Sequence, residues 1–158
     1  VAAESQSTVT TYEVVGENLP GGRARVVART SEIRFDGTEL TGDELPGPAD
    51  LLAAALAACI LKNVERFAHI LHFAYHKATV HVVMDRVEPP PRIVRARYAL
   101  HVQTDQPQAK LELLHRNIRK FGTITNTLAA AADLQGEIIA VPPSDPTTTD
   151  TARGHWAE

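Results

Sequence analysis

The chain has 158 residues, 44% hydrophobic and 22% charged, with a formal net charge of −3. That length and balance suit one globular domain with a sizeable core, and the slight acidity leaves no electrostatic footprint for nucleic acid or an anionic membrane. A single cysteine excludes a disulfide or multi-cysteine metal site within the chain, and a reducing, cytoplasmic setting is the default expectation. No basic segment followed by an apolar one opens the sequence, so no signal peptide is expected. Asp50, Lys62, Glu65 and Arg66 bracket the longest apolar run, which is too short for a membrane helix.

In chain order, residues 1–7 read as a loose, polar N-terminus and 7–16 ("STVTTYEVVG") as a β-branched strand. "NLPGG" (18–22) is a turn, 23–35 is β-prone, and 36–47 is a polar loop; pairing of 8–15 with 24–35 is expected. Pro48 suits the first turn of a helix, and the Ala- and Leu-rich run to about Leu71 continues it. Almost every position before Asn63 is apolar, which predicts a buried central helix; its length suggests a second chain helps cover it. Residues 78–85 and 93–102 alternate with period two and read as strands joined by "EPPPR".

Residues 104–122 read as an amphipathic helix with Leu111, Leu114, Ile118 and Phe121 on its stripe. Asp105 or Gln106 is the expected cap, Pro107 starts it and Gly122 ends it. A second short helix is expected over 123–133, capped by Thr123 or Thr125, then a strand over 136–141 and a disordered tail over 142–158. The order β-β-α-β-β-α-α-β argues for an α+β domain over 8–141 with mostly antiparallel sheet. No glycine-rich phosphate fingerprint occurs, and no cofactor is expected.

Four features bear on chemistry. Cys59 lies among Ala and Leu, which by itself reads as a small core residue; Lys62, Asn63 and Arg66 could polarise its thiol only weakly. His69, His72 and His76 have zinc-like spacing, but a helix ending near Leu71 would scatter them, so no metal site is expected. His81, His101 and His115 read as surface residues. Arg23, Arg25, Arg29 and Arg34 read as a solvated strand face, unless one turns inward to pair with a thiolate. "FGTITNTL" (121–128) is a C-cap joined to an N-cap.

Two of these motifs together resemble a known family. "GPADLLAAALAACI" (47–60) resembles the segment opening the central helix of OsmC/Ohr proteins, the osmotically inducible and organic hydroperoxide resistance proteins. "GTITNTL" (122–128) resembles, in place and in its tail, that family's Cys-Pro-x-Ser-Asn helix start, and the element order agrees. The resemblance covers roughly residues 8–141. It implies an OsmC-like α+β fold with mostly antiparallel sheets around a long buried central helix, in an intertwined homodimer.

The resemblance also implies a chemistry. In active members the helix cysteine attacks the distal peroxide oxygen and becomes a sulfenic acid, which a second cysteine resolves. An arginine from the N-terminal strands activates the thiol, and a glutamate orients that arginine. By that resemblance Cys59 matches the peroxidatic position and Arg23 the activating one, with Arg25 competing. The glutamate position is Ala49, with Asp50 the nearest acid, and the resolving cysteine is replaced by Gly122, its proline by Thr123. The expected function is a one-cysteine hydroperoxide reductase acting on organic hydroperoxides with an external thiol reductant. The alternative is a non-catalytic member that binds a small apolar ligand or serves a structural role.

Overall fold

The computed structural model describes residues 7–40, 42 and 44–143. Most of the segments 1–7 and 142–158 lies outside them. The elements are β1 (Val15–Leu19), β2 (Arg23–Ala28), β3 (Ser31–Asp36), α1 (Pro48–Ile70), β4 (Lys77–Val87), β5 (Arg92–Gln103), α2 (Gln108–Phe121), α3 (Thr123–Ala131) and β6 (Asp133–Val141). This is the expected α+β class, with one strand more than the sequence suggested. The chain divides into two compact units between Leu51 and Leu52, in the first turn of α1. Each unit contains one three-stranded sheet.

The first unit is the antiparallel meander β1-β2-β3. Gly21 (φ 85°) and Gly22 (φ 77°) adopt left-handed conformations in the β1–β2 turn, which side-chain-bearing residues resist, and the Gly22 N–H donates to the Leu19 carbonyl at 3.1 Å. Two strand expectations are corrected here. The first strand is Val15–Leu19, not 7–16, because the turn pairs the residues nearest to it (Leu19 with Arg23) and β2 has only six to pair with. The stretch 23–35 is two strands, reversing at Arg29 (φ 56°), so that Val26 pairs with Ile33. Beyond β3, the Asp36 carboxylate accepts hydrogen bonds from the Thr38 hydroxyl (2.6 Å), the Gly42 N–H (2.7 Å) and the Thr38 N–H (2.9 Å). These hold its carboxyl below the usual range.

The second unit holds the main core. β5 is its central strand, antiparallel to β4 and parallel to β6. Ala96, Tyr98, Leu100 and Val102 fill one face of β5 as their alternation predicts, and Ala78, Val80, Val82 and Met84 of β4 pack beside them. Against this face lie Leu56, Ile60, Val64 and Phe67 of α1, Leu111, Leu114 and Ile118 of α2, and Leu128 of α3. The α1 residues recur with helical period and form one stripe.

Three helix expectations change. Within a single chain α1 is not covered all round: Ala54, Ala58, Leu61 and Lys62 are exposed, because the sheet and the other helices engage one side only. Pro107 occupies the N-cap of α2 without a side-chain cap bond, so Asp105 and Gln106 do not cap it. Gly122 is the C-cap of α2 and the N-cap of α3, so neither Thr123 nor Thr125 caps α3. The Gly122 carbonyl accepts the first α3 bond from the Asn126 N–H at 2.9 Å, which places Thr123 and Thr125 already inside the helix.

Candidate functional site

Cys59 lies on the shoulder of the buried α1 stripe, flanked along the helix by Leu56, Ile60 and Asn63. The residue, whose thiol is free, is partly exposed rather than sealed in the core. One helical turn on, Asn63 is 93% buried by its 7% exposure. Its amide Nδ2 donates to the Cys59 carbonyl at 2.8 Å and lies 3.7 Å from Sγ. Asparagine within a helix commonly bonds back to the preceding turn; here that bond also aims the amide at the sulfur.

The second polar group reaches the sulfur from α3. The side chain of Thr125 is 3% exposed, and its hydroxyl oxygen stands 4.0 Å from Cys59 Sγ. Either atom of that contact can donate, and among the described residues the Thr125 hydroxyl makes no other side-chain hydrogen bond. Thr125 sits in the first turn of α3, where the helix dipole is positive and negative charge is favoured.

Gly122 explains why the hydroxyl can sit there. A Cβ at position 122 would fall 2.6 Å from Thr125 Oγ1 and 3.0 Å from both Thr125 Cβ and the Ile118 carbonyl oxygen. The Gly122 backbone is an ordinary extended one (φ −75°, ψ 117°), so space rather than conformation favours glycine. The position matched to the resolving cysteine is thus occupied in part by the threonine that faces the sulfur.

Arg23 and Asp50, the other expected site residues, belong to the first unit. Arg23, at the start of β2, makes no ion pair among the described residues; with Arg34, Asp36 and Thr38 it lines an open cleft of about 340 Å³. Arg25 is engaged: its guanidinium pairs with Glu17 at 2.6 Å and Glu32 at 2.7 Å, which raises its pKa further. Asp50, in the first turn of α1, accepts from the Gly47 N–H at 2.8 Å, the N-terminal hydrogen bond of a capping box.

His115 is not the surface residue expected. Its Nε2 is 2.7 Å from the hydroxyl of Tyr98, a core residue 4% exposed, and the two rings meet edge to face. Burial pushes the Tyr98 phenol up to about 12, with Arg119 opposing weakly, and burial together with Arg119 pushes His115 down. His81 and His101 are half-buried on β4 and β5. His69 lies in the last turn of α1, while His72 and His76 follow the helix in the connection to β4. Among the described residues no three His, Cys, Asp or Glu side chains converge as a metal site, and no helix is long and apolar enough to cross a membrane.

Sequence reasoning named Asn63 only as a weak influence and missed the Thr125 contact. The signal for Asn63 was a polar residue four positions after Cys59, at the edge of an apolar stripe. The contact with Thr125 spans 66 residues and had no local signal.

A family model described as "OsmC-like protein" matches residues 41–136, more than half of the chain. That span contains Cys59, Asn63, Gly122 and Thr125 but not Arg23. No curated protein sequence matches the chain. Among solved structures, an OsmC-like protein from Mycoplasma pneumoniae superposes with TM-score 0.78 at 15% identity, over 85% of this chain and 99% of that one. An organic hydroperoxide resistance protein OsmC from Legionella pneumophila gives TM-score 0.63 at 16% identity, over 82% and 98%. The organic hydroperoxide resistance protein OhrB of Bacillus subtilis gives 0.61 at 18% identity, again over 82% and 98%. At these identities the likeness is one of fold.

Proposed function

The chain belongs to the OsmC-like protein family, and on that footing we propose that it is a one-cysteine, thiol-dependent hydroperoxide reductase with Cys59 as its nucleophile. The observation that carries this reading is the setting of Cys59: a partly exposed residue with a free thiol, the Asn63 amide 3.7 Å and the Thr125 hydroxyl 4.0 Å from its sulfur. An inert core cysteine has apolar neighbours; a reactive one has polar groups that favour its anion. Two of the fold neighbours are organic hydroperoxide resistance proteins, which supports an organic hydroperoxide as the substrate class.

In this reading the Cys59 thiolate attacks the distal peroxide oxygen. The S–O bond forms as the O–O bond breaks, and the alkoxide takes the hydroperoxide proton and leaves as alcohol. Sulfur is oxidised to the sulfenate, which takes a proton from solvent to become sulfenic acid, while the peroxide is reduced. With Gly122 in place of a second cysteine, an external thiol attacks the sulfenic sulfur and releases water. A further thiolate cleaves the mixed disulfide and returns Cys59. Arg23 is the proposed cationic partner of the thiolate, supported by its making no ion pair among the described residues where Arg25 is held between two acids, and Asp50 the acid that orients it. The working unit is a homodimer in the cytoplasm, in keeping with the exposure of Leu61 (36%) and Ile70 (54%) on α1.

The test is consumption of cumene hydroperoxide by the protein with a dithiol reductant. Turnover that disappears in Cys59→Ser supports the proposal. No turnover with any of several mono- and dithiol reductants overturns it in favour of a non-catalytic member, the reading that Gly122 favours.

A further inference from the structure

We propose that Asn63 and Thr125 form a two-donor cradle for negative charge at Cys59, first on the thiolate sulfur and then on the oxygen of its sulfenate. The peroxide that supplies that oxygen is the one proposed above, so the second half of this inference rests on that reading; the first half does not.

The distances carry the inference. At 4.0 Å the Thr125 hydroxyl stands at the outer limit of a hydrogen bond to sulfur. A hydroxyl bonded to an oxygen acceptor sits about 2.7 Å from it. A single oxygen covalently bound to Sγ therefore fits between sulfur and hydroxyl in a bent arrangement, and draws a stronger bond than the sulfur alone. Asn63 Nδ2, 3.7 Å from Sγ, reaches the same oxygen from the α1 side. Both side chains are more than nine-tenths buried, so their donors are fixed in place and poorly served by water. A buried donor with a weak partner gains most when an anion arrives.

Gly122 belongs to the same device. A Cβ there would displace the Thr125 hydroxyl that it approaches to 2.6 Å. The space that Gly122 leaves open is the space the Thr125 hydroxyl occupies. A resolving cysteine shields a sulfenic acid by converting it to a disulfide. The cradle shields it by occupying the lone pairs of its oxygen, which lowers the nucleophilicity that leads on to sulfinic acid.

The experiment has two arms on the full-length chain. In the first, Cys59 is alkylated by iodoacetamide at pH 6.5, with no peroxide present. Thr125→Val, which keeps the shape and loses the hydroxyl, slows alkylation about tenfold, the effect of one hydrogen bond to an ion at its lower limit. Thr125→Ser restores most of the rate, and Gly122→Ala slows alkylation in the wild-type background but adds nothing to Thr125→Val. Equal alkylation of wild type and Thr125→Val, with both folded by circular dichroism, overturns the cradle whether or not the protein consumes peroxide. In the second arm, cumene hydroperoxide is added in excess without reductant, so that a second peroxide is present to carry sulfenic to sulfinic acid, and intact mass separates sulfenic from sulfinic Cys59 over time. Wild type retains the sulfenic form, trapped by dimedone, while Thr125→Val and Asn63→Leu pass to sulfinic acid several-fold faster. Equal rates of over-oxidation overturn the sulfenate half. A wild type that alkylates as expected yet gains no oxygen overturns the peroxidase reading and the sulfenate half together, and leaves the thiolate half standing.

Discussion

Gly136→Ala is the most severe single-methyl change that the core geometry offers. Gly136 on β6 lies directly beside Tyr98 on β5 in the parallel register. The Tyr98 ring lies across it, so an added Cβ would fall 2.0 Å from Cζ, 2.1 Å from Cε1 and 2.6 Å from Cε2. The ring cannot swing away freely: it is 4% exposed, and its hydroxyl is 2.7 Å from His115 Nε2. Overpacking a filled core costs about 1–3 kcal/mol, and losing the Tyr98–His115 bond adds about 0.5–1.5 kcal/mol. Alanine in a strand recovers about 0.5–1 kcal/mol of chain entropy relative to glycine. The net expectation is a loss of about 2 kcal/mol, well within the stability of a typical domain. Urea unfolding followed by circular dichroism reads this as a lower midpoint at unchanged slope. In a Tyr98→Leu background the space opens and the same substitution costs little or nothing. A cost below about 0.5 kcal/mol in the wild-type background, or an equal cost in both, refutes the packing account.

The buried phenol–imidazole pair predicts a pH dependence. His115 is pushed below its ordinary value when folded, so the unfolded chain binds the extra proton first. Its contribution to stability is complete above about pH 6.5 and is lost as the pH falls through the folded value. Urea midpoints should drop from pH 7.5 to 5, and His115→Gln should flatten that part of the profile; an unchanged slope refutes the assignment. At the alkaline end Tyr98, pushed up to about 12, stays neutral when folded while the unfolded phenol ionises near 10, so stability falls again above about pH 10. Under the proposed assignment the two strand arginines separate: Arg23→Gln lowers kcat/KM for cumene hydroperoxide at least tenfold, the effect expected if its charge serves the reacting sulfur, whereas Arg25→Gln leaves turnover intact. The reverse result assigns the activating role to Arg25. Asp50→Ala removes the carboxylate that accepts from Gly47 and should cost about 1 kcal/mol in thermal unfolding; no change in melting temperature would show the cap to be idle.

The parts of the fold that the sequence made legible are those with local periodicity. The α1 run starts at Pro48 as its imino nitrogen requires, and β5 buries the Ala96, Tyr98, Leu100 and Val102 set that its alternation marked. Where partner choice decides, local pattern failed. The stretch 7–16 has strand composition throughout, yet only Val15 and Gly16 of it pair, because strand ends are fixed by the length of the neighbouring strand and by the Gly21–Gly22 turn. His115 looked like surface because its helix face is charged; its burial comes from Tyr98, 17 residues away on another element. The site divides the same way. Cys59 was visible through its motif, but its polar neighbourhood depends on where α3 begins, and that is set by backbone geometry at Gly122 rather than by the threonines expected to cap it.

A chain whose only cysteine is Cys59 must close any peroxide cycle from outside itself, and the space around Gly122 bears on how. Restoring a cysteine there would bring its Cβ against Thr125 Oγ1 and the Ile118 carbonyl. The carbonyl accepts the Gly122 N–H at 3.1 Å and so cannot move without loosening the end of α2. Gly122→Cys should therefore fail to convert the protein to a disulfide-forming enzyme unless Thr125 is also changed to a smaller residue. With only an external thiol available, the rate of recovery from the sulfenate is first order in that thiol, and the sulfenate accumulates when the thiol is scarce. Such a cycle works only if the oxidised sulfur survives the wait. That requirement gives a physical reason for two buried donors to face Cys59.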